Sequence, residues 1–312
     1  MNRRNLLKSS AALGFASALP TLAAGKLLAS AGAGQTQAGK DQPMAKTNPL
    51  TPPAKGSIPV AFLISDEAQV IDFCGPWEVF AGVAIPGSDE NAFQVYTVAE
   101  TLKPITATGG MKIVPDYTFE TAPAPKVIVI PAQAGATKAM FDWIRMSTKG
   151  TDVTMSVCTG AFVLARTGLL SGKSATTFHE AFDGFEKQYP DIKLIRGARF
   201  VEDGNLASSG GLTSGMDLAF RVVERYFGRE VTEKLAFQLE YQGKGWMNSG
   251  SNEVYAEYER PKKPTTGQLC PVCSMEGNPS ISSSYKGKTY YFCMQDHKVT
   301  FEEAPEEFLK AS

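Results

Sequence analysis

Cysteine and histidine, the residues best suited to nucleophilic and metal chemistry, are few in this chain and fall near two motifs. The five cysteines stand at positions 74, 158, 270, 273 and 293, and the two histidines are His179 and His297. An odd number of cysteines cannot all pair within one chain. At least one thiol is therefore expected to be buried, reactive or bound to a metal.

The C-terminal group has the spacing of a metal site. Two residues separate Cys270 from Cys273, and three separate Cys293 from His297. Two close pairs joined by a hairpin-length segment can bring four donors together tetrahedrally. Three thiolates and an imidazole suit divalent zinc and Cu(I) equally, so the spacing does not choose between them. A disulfide between Cys270 and Cys273 is the alternative, but it explains neither Cys293 nor His297.

Cys158 stands where a short apolar run ends and a helical segment begins, in Val157-Cys158-Thr159-Gly160-Ala161. A tight strand-to-helix turn lifts a side chain out of the sheet, as in nucleophile elbows. The helix N-terminus would lower the thiol pKa, and its free N–H groups would hold an oxyanion. This predicts a low-pKa nucleophile. The alternative is an inert cysteine that packs as a small hydrophobe.

The elements around Cys158 predict an α/β fold with a doubly wound parallel sheet, a flavodoxin-like sandwich. Apolar runs typical of buried strands alternate with helical segments, which indicates βαβ units. Ligands bind at the carboxyl ends of the strands in such a sheet, where Cys158 lies. The predicted strands are 58–64, 93–98, 126–130 and 153–157, the helices are 75–84, 136–147, 161–167 and 216–226, and an edge hairpin joins 198–201 to 206–208.

Three blocks of sequence resemble the PfpI family of the class I glutamine amidotransferase-like superfamily, in the family's order. They are IDFCGPWEVF from 71, SVCTGAFVLARTGLLSGKSATT from 156 and GGLTSGMDLAFRVVERYFG from 210. The resemblance is strongest to isonitrile hydratase and to sensor-like domains of some transcription regulators.

The resemblance implies that Cys158 is the nucleophile and that Asp72 faces it and moves a proton. Asp72 can also be read as a helix N-cap. Gly75 and Thr159 would contribute backbone N–H groups to an anion pocket, and Thr159 also a hydroxyl. No cofactor is expected at this site.

Several positions depart from the family's pattern. Thr159 replaces the histidine of the protease-like members, so peptidase activity is not expected. His179 follows Phe178, which stands where many relatives have histidine, and the ring is therefore either near the site or turned away from it. Pro131-Ala132-Gln133 replaces Pro-Gly-Gly, which leaves the role of that loop open. Cys74 is expected to pack beside Asp72, with a resolving thiol as the alternative.

The ends of the chain predict export and a second domain. Asn2-Arg3-Arg4-Asn5-Leu6-Leu7-Lys8 and the apolar stretch behind it match a twin-arginine signal, with an uncleaved anchor as the alternative. The segments CPVCSMEGN, YKGKTYYFC and HKVTFEEAPEEFL resemble the YHS domain, which is associated with metal binding. The predicted division is signal peptide 1–34, linker 35–56, PfpI-like domain 57–245, linker 246–266 and YHS-like domain 267–312.

Function follows from these parts as two competing hypotheses. The first is a periplasmic PfpI-family cysteine enzyme, a lyase or hydrolase of a small carbon–nitrogen or carbonyl substrate, with a metal-binding tail. The second is a non-catalytic periplasmic redox or ligand sensor, or a copper- or zinc-handling protein. A net charge of −1 implies no attraction to nucleic acid. No stable membrane span is expected. A homodimer is an alternative to the monomer.

Overall fold

The structure is a computed structural model that describes residues 49–85, 91–258, 267–273 and 275–309. The predicted signal peptide, and the linker as far as residue 48, lie outside the described residues. Among the described residues, no helix is long and apolar enough to cross a membrane.

The large domain is built on one seven-stranded sheet, whose order is β10-β11-β7-β6-β1-β2-β5. All pairings in this sheet are parallel except β10 with β11, which form the predicted edge hairpin. The predicted α/β fold with a mostly parallel sheet is therefore confirmed. The strands of the large domain are β1 (Ile58–Leu63), β2 (Phe93–Ala99), β3 (Ile105–Thr106), β4 (Lys112–Ile113), β5 (Tyr117–Thr118), β6 (Val127–Ile130), β7 (Val153–Val157), β8 (Ser174–Ala175), β9 (Lys193–Leu194), β10 (Phe200–Asp203) and β11 (Leu206–Ser209).

Helices cover both faces of the sheet because successive strand residues point to opposite sides. In β1, Val60 and Phe62 join the core under α1 and α5, whereas Ala61 and Leu63 join the core under α2, α3 and α4. The result is three layers with two cores. The helices of this domain are α1 (Val70–Ala81), α2 (Lys138–Ser147), α3 (Gly160–Arg166), α4 (Phe182–Gln188) and α5 (Thr213–Gln238).

Two helices differ from their predicted bounds in ways that affect the site. Helix α1 begins at Val70, five residues earlier than predicted, with Gln69 as its N-cap. Helix α5 runs far beyond the predicted Tyr226, through a break at Gly228 (φ 80°, ψ 173°). A left-handed φ suits glycine and lets the chain change direction.

The predicted linker 246–266 is wrong in its first half, because residues 246–258 pack into the large domain. Trp246 is 2% exposed, and its backbone N–H donates to Asp217 Oδ1 at 2.8 Å. Asn252 is also buried and accepts from Arg199 Nη1 at 3.0 Å. Arg199 and Asp217 also form an ion pair with each other (2.5 Å), so this pair links residues 246–258 to the large domain. Residues 259–266 lie outside the described part of the chain.

The tail forms a small layer of its own. Strands β12 (Asn278–Tyr285) and β13 (Lys288–Phe292) pair as an antiparallel hairpin, followed by α6 (Gln295–Glu303) and α7 (Pro305–Leu309). Its core joins Phe292, Phe301 and Phe308 to Cys270 and Cys273. The hairpin turn contains Gly287 (φ 76°), and the aromatic strand β13 leads directly to Cys293.

Candidate functional site

Cys158 lies on a strained turn between β7 and α3. Its φ is +57°, a left-handed value that non-glycine residues rarely adopt and that is typical of nucleophile elbows. Its N–H donates to Gly210 O at 3.1 Å, and its carbonyl accepts from Thr177 Oγ1 at 2.9 Å. These bonds hold the backbone of the turn from two sides.

Gly160 makes this turn possible by its lack of a side chain. A Cβ there would overlap the carbonyl oxygens of Ile130 and Pro131, the latter at 2.7 Å. Helix α3 therefore starts directly against the end of β6. The close approach brings the carboxyl ends of β6 and β7 together around Cys158.

Asp72 is fully buried in the first turn of α1 and meets Cys158 from the other side. Its Oδ2 accepts the N–H of Ala132 at 3.1 Å, and the Leu212 N–H also faces this carboxyl. Its Oδ1 is buried and has no hydrogen-bond partner among the described residues. Asp72 is not the N-cap of α1, since Gln69 holds that position. The Pro131-Ala132-Gln133 loop thus acts by holding Asp72.

The protonation of this pair differs from the predicted low-pKa thiol. Burial raises the pKa of Cys158, and the charge of Asp72 raises it further, against smaller lowering effects of Thr159 and Leu212. Burial also raises the pKa of Asp72, to about 7. The prediction of a low thiol pKa is therefore wrong, because a dry site beside a carboxylate disfavours a second negative charge.

Thr159 and Gly75 were both predicted to bind an anion, and the structure separates them. The N–H and the hydroxyl of Thr159 face the sulfur of Cys158. Gly75 instead lies inside α1, where an N–H bonds to the carbonyl four residues earlier. A Cβ at Gly75 would meet Met216 at 2.7 Å. Its role is therefore close packing of α1 on α5, and its prediction as an anion donor is wrong.

His179 packs among aromatic rings. It stacks on Tyr255 (centroids 4.6 Å apart, 17° between planes) and meets the edge of Tyr258 at 4.6 Å. Burial lowers its pKa. Its aromatic contacts among the described residues are with Phe178 and these two tyrosines. The ring is thus engaged in aromatic packing, and a contact of His179 with the site stays a prediction. Cys74 lies in α1 and packs against the core.

Leu212 is a site residue that the sequence reasoning missed. Its backbone is left-handed (φ 54°), and its N–H faces both Asp72 and Cys158. The available signal was the Gly210-Gly211 pair before it, which is typical of a tight turn. A Cβ at Gly211 would overlap the ring of Phe178.

The four predicted metal ligands of the tail lie together, with all their donor atoms within 4.8 Å of one another. Cys293 Sγ is 3.0 Å from His297 Nδ1 and 3.3 Å from Cys273 Sγ, and Cys270 Sγ is 3.6 Å from His297 Nδ1. Tetrahedral zinc with Zn–S bonds of about 2.3 Å separates its donors by about 3.7 Å. The donor set and its spacing therefore fit a tetrahedral metal ion.

The thiols of this cluster interact without a disulfide. All five cysteines of the chain are free, so the Cys270–Cys273 bridge is not formed. Burial raises the pKa of Cys270, but hydrogen bonds with the other two thiols and His297 outweigh it and leave the pKa well below its usual value. Burial and the neighbouring Cys270 raise the pKa of Cys273.

Comparison with known proteins identifies relatives of the large domain. The DJ-1/PfpI family model matches residues 59–225. The chain is 35% identical over 208 residues to isonitrile hydratase of Pseudomonas putida, covering 64% of this chain and 85% of that protein. It is 23% identical over 187 residues to the HTH-type transcriptional regulator GbdR of Pseudomonas aeruginosa, covering 59% of this chain and half of the regulator's length.

Solved structures agree on the fold. A ThiJ/PfpI family protein from Pseudomonas syringae aligns with a TM-score of 0.54 at 21% identity, covering 89% of this chain and 97% of that one. Drosophila melanogaster DJ-1beta aligns with a TM-score of 0.51 at 20% identity, covering 59% and 98%. With the elbow cysteine, the sheet order and these matches in agreement, the chain belongs to the DJ-1/PfpI family.

Proposed function

We propose that this protein is an exported, cysteine-dependent enzyme that adds water to a small substrate with a carbon–nitrogen multiple bond, and that its tail binds one metal ion. The observation that carries the first part is the buried Cys158–Asp72 pair on a strained turn. The Cys158 thiol lies beside the Asp72 carboxyl. The pKa of Asp72, about 7, suits proton transfer at physiological pH. The similarity to isonitrile hydratase supports an isonitrile as the first substrate to test.

Each group has a defined part in this reaction. The Cys158 sulfur attacks the terminal carbon of the isonitrile, while Asp72 takes the thiol proton and delivers it to that carbon. Water then adds across the thioimidate C=N bond, with its hydroxyl on carbon and its proton on nitrogen. The C–S bond breaks, the sulfur regains its proton through Asp72, and an N-substituted formamide leaves. The Leu212 and Thr159 N–H groups stabilise negative charge that develops on the sulfur.

Turnover of a panel of small isonitriles, followed by NMR detection of the formamide, tests this proposal. We expect Cys158→Ala to abolish turnover and Asp72→Asn to lower it by about 10²–10⁴-fold. Cys74→Ala, which changes a packing thiol on the same helix as Asp72, is the control and should retain activity. Full activity in the Cys158→Ala protein would rule out the nucleophile.

A sensor is the competing function, and the site argues against its redox form. Oxidation requires an exposed thiolate. Cys158 is 7% exposed and its pKa is raised by burial. A ligand sensor remains distinguishable by experiment. Ligand-dependent thermal stabilisation by the isonitrile panel without any turnover would favour it over the enzyme.

The tail resembles a YHS domain, and we propose Cys270, Cys273, Cys293 and His297 as the ligands of one zinc or Cu(I) ion. The support is the donor set and its spacing, which fit a tetrahedral ion. Bound there, the metal would cross-link the Cys270–Cys273 turn to β13 and α6. Metal analysis of the purified protein tests the proposal, with Cys293→Ala and His297→Ala expected to lower the metal content.

Export rests on the twin-arginine pattern at Arg3 and Arg4, which lies outside the described residues. We propose a periplasmic location on that pattern alone. Replacing both arginines by lysine should leave the precursor in the cytoplasm. Unchanged export of the double variant, measured by cell fractionation, would show that the assignment to this pathway is wrong.

A further inference from the structure

One arginine of the large domain reaches into the tail. Arg166 is the last residue of α3, and its Nη2 donates to the carbonyl oxygen of Val272 and, at 3.5 Å, to that of Pro271. Its guanidinium also lies over the ring of Phe308, 4.1 Å from the centroid. A single cation thus contacts both the turn between Cys270 and Cys273 and the last helix of the tail.

The contacted turn is the chelating turn itself, since Pro271 and Val272 are the two residues between the paired thiols. Inside the tail, the turn is closed by the Cys270 N–H, which donates to Met275 O at 2.7 Å. The carbonyls on its other side face Arg166. The conformation that brings Cys270 and Cys273 to one ion is therefore held by groups from both parts of the chain.

The junction also contains polar groups that are shielded from water. Arg166 Nε is buried and has no hydrogen-bond partner among the described residues, and the buried Tyr189 hydroxyl lies beside the guanidinium. Keeping polar groups buried in this way costs free energy. The carbonyl, ring and thiol contacts of the guanidinium offset that cost.

We propose that Arg166 is a positioning residue of the metal site, so that the site is assembled by the large domain and the tail together. This inference rests on the proposal that the four tail residues bind a metal. Three thiolates and a neutral imidazole around divalent zinc carry a net negative charge. Arg166 supplies the compensating positive charge and fixes the turn, as outer-shell partners of metal ligands do.

Zinc affinity of the full chain, measured by competition with a chromophoric chelator, is the first test. Arg166→Met keeps the apolar stem but removes the donors and the charge, and we expect it to bind zinc about 10–100-fold more weakly. Arg166→Lys should lose less, because it retains a cation and a donor. The matched control is Arg196→Gln, which changes an arginine over the Phe182 ring that is paired with Asp183 and Glu186. It should bind like the wild type.

The outcomes separate this inference from the metal proposal. Wild-type protein that binds no zinc overturns both. Wild-type affinity in Arg166→Met overturns only the role of Arg166. Equal losses in Arg166→Met and Arg166→Lys would show that the arginine acts by shape and packing rather than by charge, and would also overturn it.

A second measurement needs no variant. Coupling between two events is reciprocal, so if docking of Arg166 strengthens metal binding, the metal must strengthen docking. Stripping zinc should therefore raise the rate at which phenylglyoxal modifies Arg166, read by peptide mass spectrometry, while Arg196 stays unchanged. Equal modification of Arg166 with and without zinc would contradict the proposal, even if Arg166→Met failed to fold.

Discussion

Two sets of neighbours shift the pKa of the Cys158 thiol in opposite directions. The Thr159 and Leu212 groups stabilise a thiolate, whereas burial and the Asp72 carboxylate destabilise it. Burial has the larger effect on the pKa, because a buried thiolate loses the water that would hydrate it in solution. The thiol of Cys158 therefore keeps its proton at neutral pH, and Asp72 is the group of the pair that ionises first as the pH rises.

Alkylation measures this balance directly. The rate of iodoacetamide labelling at Cys158, resolved by peptide mass spectrometry, should have its pH midpoint above the value of about 8.5 for a free cysteine. Asp72→Asn removes the nearby negative charge and should lower that midpoint. A wild-type midpoint below 8.5, or no change in the Asp72→Asn protein, would contradict this account of the site.

Asp72 should also make stability depend on pH. Its folded pKa of about 7 lies above its usual 3.8. The folded state therefore binds the proton more tightly, and this stabilisation is present below about pH 4 and lost as the pH rises through 7. The rise in pKa corresponds to about 4 kcal/mol at most.

Urea unfolding of the wild type and of Asp72→Asn at pH 4 and pH 8 tests this. From pH 4 to pH 8, the free energy of unfolding of the wild type should fall relative to that of Asp72→Asn. Taking the difference between the two proteins removes the titration of other groups. A difference that is constant with pH would show that Asp72 has an ordinary pKa.

At the scale of elements, the site depends on how closely α3 starts behind β6. The seven residues of α3 begin at Gly160, whose missing side chain admits the carbonyls of Ile130 and Pro131. The same loop then supplies the Ala132 N–H to Asp72. One glycine therefore sets the spacing between Cys158 and Asp72.

Gly160→Ala should consequently destabilise the large domain by about 1–3 kcal/mol or more, since backbone atoms cannot move aside as a flexible side chain can. Urea denaturation measures the loss. Gly150→Ala is the matched control, because nothing lies within 4 Å of a Cβ at that position. Equal stability of the two variants would mean that the approach of α3 to β6 is not tight.

At the scale of the molecule, the chain has cores of very different size. Helices cover the sheet of the large domain on both faces, whereas the core of the tail consists mainly of three phenylalanines and two clustered cysteines. So small a core offsets little chain entropy, and metal binding can supply the missing free energy.

A strong chelator should therefore unfold the tail and leave the large domain folded. Limited proteolysis should cut the chain after about residue 267 once the metal is removed, while near-UV circular dichroism of the large domain persists. Adding zinc back should restore protection. A tail that stays protease-resistant after complete metal removal would show that the metal does not hold it together.

The sequence by itself determined the α/β class, the four central strands, the elbow at Cys158 and the four clustered donor residues of the tail. These are local properties: apolar runs mark strands buried on both faces, and short Cys/His spacings mark a chelating turn and a helical turn. The edge hairpin was likewise predictable from the sequence, because turn residues act within a few positions.

Only the tertiary structure decided the rest, because the deciding contacts join distant residues. The thiol pKa depends on burial by other elements, and the ring of His179 on tyrosines more than seventy residues later. Trp246 belongs to the core because Asp217, 29 residues earlier, holds its N–H. Arg166 meets Val272 across 106 residues. No local pattern records such contacts, since packing and charge compensation arise only when the chain folds.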